Sequence, residues 1–308
     1  MNFVTHFNSK YLLQGLAMYD SLVRYLDAFQ LWVVCMDEET YEILTNLNLS
    51  KLKPVRFEKF ENERLCSLKK ERSLVEYFWT VTPVVNRIVF ELDSSVECLT
   101  YLDADMWLLN DPTYIFEEFS QSNKDVLITR HDYAPKYDQS KLSGKYCVQL
   151  LIFNRNSLDV LAWWEERCVE WCYSYADSGR FGDQKYLESF ESEFPDRVHV
   201  LKEKGLMLAP WNASIYTYSN ALFYHFHGLK IYSNTKSFVG RYEIPKPVLR
   251  YIYMEYLSSV SDIIKNLESC NVKINYQSKP NRVLDLGKRL IEYVYYASQS
   301  LNKYWISL

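Results

Sequence analysis

Two aspartates one residue apart, Asp103 and Asp105, stand directly after an apolar run in TYLDADMWLLNDP, residues 100–112. Side chains two apart on an extended segment point the same way, so both carboxylates are expected to converge where a strand ends. Two adjacent carboxylates repel one another unless a cation lies between them. Carboxylate oxygens suit Mg2+ or Mn2+. Such an ion bridges phosphate oxygens and neutralises a departing diphosphate. The alternative is a loop with two solvated aspartates; the apolar strand ahead of the pair argues against it.

The pair lies in a segment that resembles the DxD signature of GT-A fold glycosyltransferases, in particular glycosyltransferase family 8: YLDAD followed by an Asn-Asp-Pro turn. Three further segments follow the same chain order, and the resemblance covers about residues 1–235. FVTHFNSKY resembles the nucleotide-contacting start of that fold, which implies that Thr5, His6 and Tyr11, with Asp37 after the second strand, lie near the nucleotide. FGDQKYL, residues 181–187, resembles the Asp-Gln segment beside the sugar and implies catalytic roles for Asp183 and Gln184. HFHGLK, residues 225–230, resembles the His-x-x-Gly motif that supplies the third metal ligand and contacts the diphosphate. The resemblance thus implies a nucleotide-sugar donor, often a UDP-sugar, with Mn2+ or Mg2+ held by Asp103, Asp105 and a histidine.

The residues themselves sharpen these roles. Of His225 and His227, one is expected to turn toward the ion and the other away; the spacing to Gly228 favours His225, with His227 as the fallback. Neutral imidazole is a reasonable ligand for Mn2+. Gly228 permits close backbone approach and Lys230 can meet phosphate. Asp183 either caps the helix that follows or faces the sugar. In an inverting enzyme it serves as general base, and in a retaining one it stabilises an oxocarbenium-like centre; the resemblance of HFHG to retaining enzymes implies retention. Trp211 in LAPWNAS is either a stacking surface for a sugar or a packing turn. Departures from the resembled pattern sit on the sugar-facing wall: Trp79 where an arginine is usual, and Cys147 and Gln149 in YCVQLLIFN, with Gln149 read as part of the sugar pocket. Glu76 and Thr80 share a helix face and line the donor site or the surface.

These residues need a scaffold of alternating strands and helices. Strands are expected at 2–6, 30–36, 54–58, 97–102, 125–130, 148–153, 197–201 and 222–226. Helices are expected at about 12–26, 38–47, 73–91 with Pro83 interrupting, and 157–175, together with one opening at Asp111-Pro112. The alternation predicts an α/β fold with a mixed, mostly parallel sheet flanked by helices. After about residue 240 the pattern changes to helices at 247–268 and 281–304 around a strand-like 271–276. The expected organisation is a catalytic domain over 1–240 and a helical extension over 241–308, whose last helix packs on the domain or lies on a membrane surface.

The 308 residues suffice for this core. A net charge of −4 supplies no basic field for nucleic acid. The seven cysteines form no CxxC pair, and Cys35 and Cys98 read as buried thiols in a reducing compartment. No apolar run reaches the length of a membrane span. A cytoplasmic protein is expected, soluble or peripheral to the membrane, acting on a glycan or lipid-linked acceptor, with bacterial surface polysaccharide or lipopolysaccharide the pathway implied by resemblance. Two competing readings are a haloacid-dehalogenase-type phosphatase, which also uses a strand-borne DxD, and a non-catalytic nucleotide-sugar binder. Met106-Trp107 and Leu187 fit the phosphatase pattern poorly.

Overall fold

The computed structural model describes residues 1–277 and the short strand Trp305–Ile306. In chain order the first half comprises β1 (Asn2–Phe7), α1 (Leu12–Tyr25), β2 (Gln30–Cys35), α2 (Glu38–Leu47), β3 (Leu52–Arg56), α3 (Glu63–Glu71), α4 (Leu74–Leu92), β4 (Cys98–Leu102), β5 (Met106–Leu108), α5 (Thr113–Ser122), β6 (Val126–Arg130) and α6 (Ser140–Ser143). The second half comprises β7 (Tyr146–Asn154), α7 (Leu158–Glu170), α8 (Phe190–Glu193), β8 (Val198–Val200), β9 (Met207–Leu208), β10 (Phe223–His225), β11 (Lys230–Ser233), β12 (Lys236–Phe238), α9 (Lys246–Val248), α10 (Met254–Ser269) and β13 (Trp305–Ile306).

The central sheet has seven strands in the order β3-β2-β1-β4-β7-β6-β8. All neighbours are parallel except β7, which runs antiparallel to both β4 and β6. Its central strands are buried on both faces, as their near-continuous apolar runs require. One face carries α1 and α10 over Phe3, Leu31 and Val33. The other carries α4 and α7 over Val4, Leu99 and Leu151. A second sheet of three strands, β5-β10-β9, stands beyond the end of β4, so the Asp103–Asp105 segment is the crossing from one sheet to the other.

Several boundaries differ from the sequence expectation for identifiable reasons. The third strand begins at Leu52, whose side chain enters the core, and ends before Phe57 starts a 3-10 turn. Helix α4 runs unbroken through Pro83. Burial of Val81, Val84, Val85 and Ile88 against the sheet outweighs the one backbone hydrogen bond proline removes. Helix α7 stops at Glu170, because the buried Arg72 guanidinium takes the orphan carbonyls of Cys168 and Val169 at 2.7 and 2.8 Å. Trp171 and Cys172 therefore lie beyond the helix. Helix α3 passes unmarked in the sequence because only Leu65 and Leu68 of its nine residues are buried. The segment 271–276 forms no strand. Helix α10 follows a π-helical turn, Leu249–Tyr253, within the expected 247–268. The expected helix at 281–304 lies outside the described residues.

Candidate functional site

Backbone geometry brings the acidic pair and the histidine together. The expected extended run at 103–105 is instead a turn: the Met106 N–H donates to the Asp103 carbonyl at 3.0 Å. The turn arises because the chain must leave the central sheet and enter the second one within three residues. β5 then pairs antiparallel with β10, and the register sets His225 opposite Met106. The Phe226 N–H donates to the Asp105 carbonyl at 2.9 Å. On the other side the Asp103 N–H donates to the Gln149 carbonyl of β7 at 3.1 Å. Asp103, Asp105 and His225 each offer a ligand atom, all within 4.8 Å of one another.

The charges at this point depend on one another. His225 Nε2 is 3.1 Å from Asp105 Oδ1 and 3.8 Å from Asp103 Oδ2. Burial alone would lower the His225 pKa, but the facing Asp105 carboxylate and, less strongly, Asp103 hold it well above the ordinary imidazole value. Burial likewise pushes Asp105 upward, and the His225 charge brings it down to about 2. Asp103 stays raised: burial and the Asp105 charge outweigh His225 and the Tyr101 hydroxyl, which donates to Asp103 Oδ1 at 2.9 Å. The oxygen and imidazole donors are those that Mn2+ and Mg2+ accept, so the residues fit a divalent ion.

The three residues open into a cleft of about 450 Å³ at the carboxyl ends of the parallel strands. His6, Tyr11, Asp183, Gln184, Trp211 and His227 also line it. Asp183 is 5% exposed and makes no side-chain cap bond to the 3-10 turn Gln184–Ser189, so capping is not its role. Burial, then the nearby Asp103 charge, raises its pKa to about 7. The Trp164 indole N–H holds its carbonyl at 3.0 Å from behind. Gly182, at φ +53°, faces the Trp79 ring at 3.4 Å from where a Cβ would stand.

Other predicted residues take different places. Thr5 is fully buried within β1 and does not line the cleft. Asp37 is spent on structure: its carboxylate caps α2 through the Thr40 N–H at 2.9 Å and accepts from Ser9 N–H at 3.0 Å. Glu76 closes a capping box with Ser73 and accepts from Ser174, and Thr80 accepts from Arg72; neither lines the cleft. Gln149 is fully buried and does not line the cleft; its Oε1 lies 3.1 Å from His225 Nδ1. Trp211 does line the cleft but is only 4% exposed, and its indole N–H is given to the His131 carbonyl at 2.8 Å. Its ring braces His225 and His227 edge-on, each 5.4 Å away between centroids. His227 does not turn away: the tight turn at Phe226–Leu229, with Gly228 at φ +80°, leaves both histidines on the cleft, 5.6 Å apart. Lys230 donates to the Tyr11 hydroxyl at 3.0 Å beside the cleft.

Sequence reasoning passed over Tyr101, His131 and Thr82, all of which line the cleft. Tyr101 was detectable, since it precedes Asp103 by two on the same strand face. His131 follows β6 with no local signal; burial lowers its pKa to about 3, and among the described residues its Nδ1 has no hydrogen-bond partner.

The fold is that of the GT-A-type glycosyltransferases. It matches the galactosyltransferase LgtC, solved in complex with donor and acceptor sugar analogs, at a TM-score of 0.53 and 12% identity over 85% of this chain and 96% of LgtC. It matches the glycosyltransferase GlyE of Streptococcus pneumoniae TIGR4 at a TM-score of 0.53 and 14% identity, over 90% of this chain and 65% of GlyE. No protein-family model matches the sequence. The uncharacterized protein YfnF of Bacillus subtilis (strain 168) is 30% identical over 285 residues, spanning 86% of this chain and 93% of YfnF. The uncharacterized protein YfnD of the same organism is 26% identical over 289 residues, 87% of this chain and 91% of YfnD. The chain belongs to the family of YfnF.

Proposed function

We propose that this chain is a divalent-metal-dependent glycosyltransferase that moves a hexosyl unit from a nucleotide-diphosphate sugar, a UDP-sugar in first preference, to a hydroxyl acceptor. The observation that carries the proposal is the meeting of Asp103, Asp105 and His225 on a cleft at the strand ends of a GT-A fold. When bound, Mn2+ or Mg2+ supplies Lewis-acid stabilisation of the departing diphosphate. The protein's own groups do the rest. Tyr11 and Lys230 flank the phosphate side, and His6 contributes to the nucleotide end. In this reading Asp183 and Gln184, which line the same cleft, are the groups that face the sugar. Asp183 stabilises positive charge at the anomeric carbon if configuration is retained, the outcome HFHG favours, or accepts the acceptor proton if it is inverted. The phosphatase reading lacks its own loop, since Leu187 is fully buried where that chemistry needs a cleft-facing carboxylate.

The acceptor proposed is a glycan or lipid-linked glycan of a bacterial surface polysaccharide or lipopolysaccharide. Seven free cysteines fit a reducing cytoplasmic setting. Among the described residues no helix is long and apolar enough to cross a membrane; peripheral membrane contact through residues 281–304 is part of the proposal. The test is release of nucleoside diphosphate from a panel of nucleotide sugars with Mn2+, with and without EDTA. Metal-dependent release from one donor class is expected, and no release from any donor, with or without acceptor, overturns the proposal. An NMR spectrum of the product's anomeric proton decides retention against inversion.

A further inference from the structure

The buried Gln149 side chain has one hydrogen-bond partner among the described residues, and that partner is His225. Gln149 Oε1 lies 3.1 Å from His225 Nδ1, while Gln149 Nε2 is buried with no partner. The backbone of the same residue accepts the Asp103 N–H at 3.1 Å. One residue of β7 therefore touches two of the three groups that converge on the cleft, one through its main chain and one through its side chain. A fully buried amide with an unsatisfied N–H2 is costly in a strand core, where an apolar side chain would pack without penalty.

We infer that Gln149 is the positioning residue of the metal centre: it holds the His225 ring with Nδ1–H on its amide oxygen and Nε2 turned toward Asp103 and Asp105. An amide oxygen can only accept, so the nitrogen facing it must carry the proton. The other nitrogen, 3.1 Å from Asp105 Oδ1, is then the one free to offer a lone pair to an ion once its own proton leaves. Trp211, edge-on to the imidazole at 5.4 Å, limits ring rotation but offers no acceptor, because its indole N–H is engaged by the His131 carbonyl. Cys147, two residues earlier on β7, also borders the ring and lines the cleft. Its sulfur is a weak acceptor that cannot orient the imidazole as an amide oxygen does. The inference rests on the metal centre of the proposed function and adds the element that sets its geometry.

The test measures Mn2+ binding by electron paramagnetic resonance on the intact chain, without donor, for the unsubstituted protein, Gln149→Met and Gln149→Glu. Methionine keeps the volume and loses the strong acceptor; glutamate keeps the acceptor. Gln149→Met is expected to weaken Mn2+ binding about 10- to 100-fold, the usual range for loss of such a partner, while Gln149→Glu binds at least as tightly as the unsubstituted protein. Nitrogen-15 NMR of histidine-labelled protein reads the Nδ1–H directly. An Nδ1–H of His225 that is hydrogen-bonded and protected from solvent exchange in the unsubstituted protein, with that protection lost in Gln149→Met and kept in Gln149→Glu, is the expected signature. Equal Mn2+ affinity in all three proteins, or an equally protected Nδ1–H in a folded Gln149→Met, overturns the positioning role and leaves the proposed function standing. No Mn2+ binding by the unsubstituted protein overturns the metal centre itself, and this inference with it.

Discussion

Asp183 is held in the cleft against its own electrostatic preference. Burial and the Asp103 charge raise its pKa from 3.8 to about 7. Its protonated form therefore contributes stability that is full below about pH 3.8 and is lost as pH rises through about 7, because the folded state binds the extra proton. Asp183→Asn removes the ionisation while keeping the shape. The metal-free variant is expected to melt a few degrees above the parent at pH 8 and level with it at pH 4, yet to lose about 100-fold in turnover. Thermal melts at the two pH values, paired with a donor-turnover assay, check it, and a stabilised variant with full turnover contradicts the role given to Asp183. Asp105 behaves differently, because its charge is satisfied by His225. Asp105→Ala is expected to abolish Mn2+-dependent nucleotide binding and transfer while the circular dichroism stays unchanged; calorimetric titration of UDP with and without Mn2+ reads the first effect. The Asp103–Asp105 pair, Asp183 and His225 were legible in sequence because each sits in a compact local pattern. Gln149 was read as a sugar-pocket wall but lies off the cleft, and Trp211 lines the cleft with its indole N–H already engaged; such details depend on partners more than 60 residues away, as with His225 and Gln149 and with Trp211 and His131.

Elements were legible where local periodicity agreed with tertiary burial. Helix α2 was read at its observed bounds, because Asp37 caps it and Leu44 anchors its single buried face. The small strands β9, β11 and β12 carried no recognisable signal, being two to four residues long and held by pairing rather than by pattern. Helix α4 shows how a cap can serve two elements. Glu76 closes the box with Ser73 and also accepts the Ser174 N–H and hydroxyl, both at 2.8 Å, tying the start of α4 to the loop after α7 that leads to Asp183. Burial would raise its pKa, but the hydrogen bonds from Ser174 and Ser73 bring it to about 2. That stabilisation is complete above the unfolded carboxyl value of 4.5 and is lost as pH falls toward 2. Glu76→Gln is expected to cost about 2 kcal/mol at pH 7, with the deficit shrinking steadily below pH 4.5. Urea unfolding at pH 7, 4 and 3 measures it; a deficit that is independent of pH assigns the loss to packing instead of charge.

At the scale of the whole molecule, the change in sequence character near residue 240 does not coincide with a break in the core. Helix α10 buries Tyr256, Leu257, Val260, Ile263, Ile264 and Leu267 in the same cluster as α1, β5 and β10. Tyr256 is the centre of that contact. Its ring stacks on Phe226 with centroids 3.8 Å apart and meets Trp107 edge-on at 5.2 Å. Phe226 follows His225 and Trp107 lies two residues after Asp105, so α10 presses from behind on β10, which carries His225, and on β5, which starts directly after Asp105. The catalytic machinery proposed for residues 1–240 and this helix are therefore expected to unfold together. Tyr256→Ala removes a fully buried aromatic side chain and is expected to cost about 3–5 kcal/mol. Calorimetry is expected to show one transition for the parent and one, at lower temperature, for the variant, each raised by Mn2+ through binding to the folded state alone. The variant's Mn2+ shift should also be smaller, because strands that lose their backing hold Asp105 and His225 less firmly. Two transitions, with the Mn2+-responsive one unmoved by Tyr256→Ala, would mean instead that α10 folds as a separate unit and gives the metal centre no support.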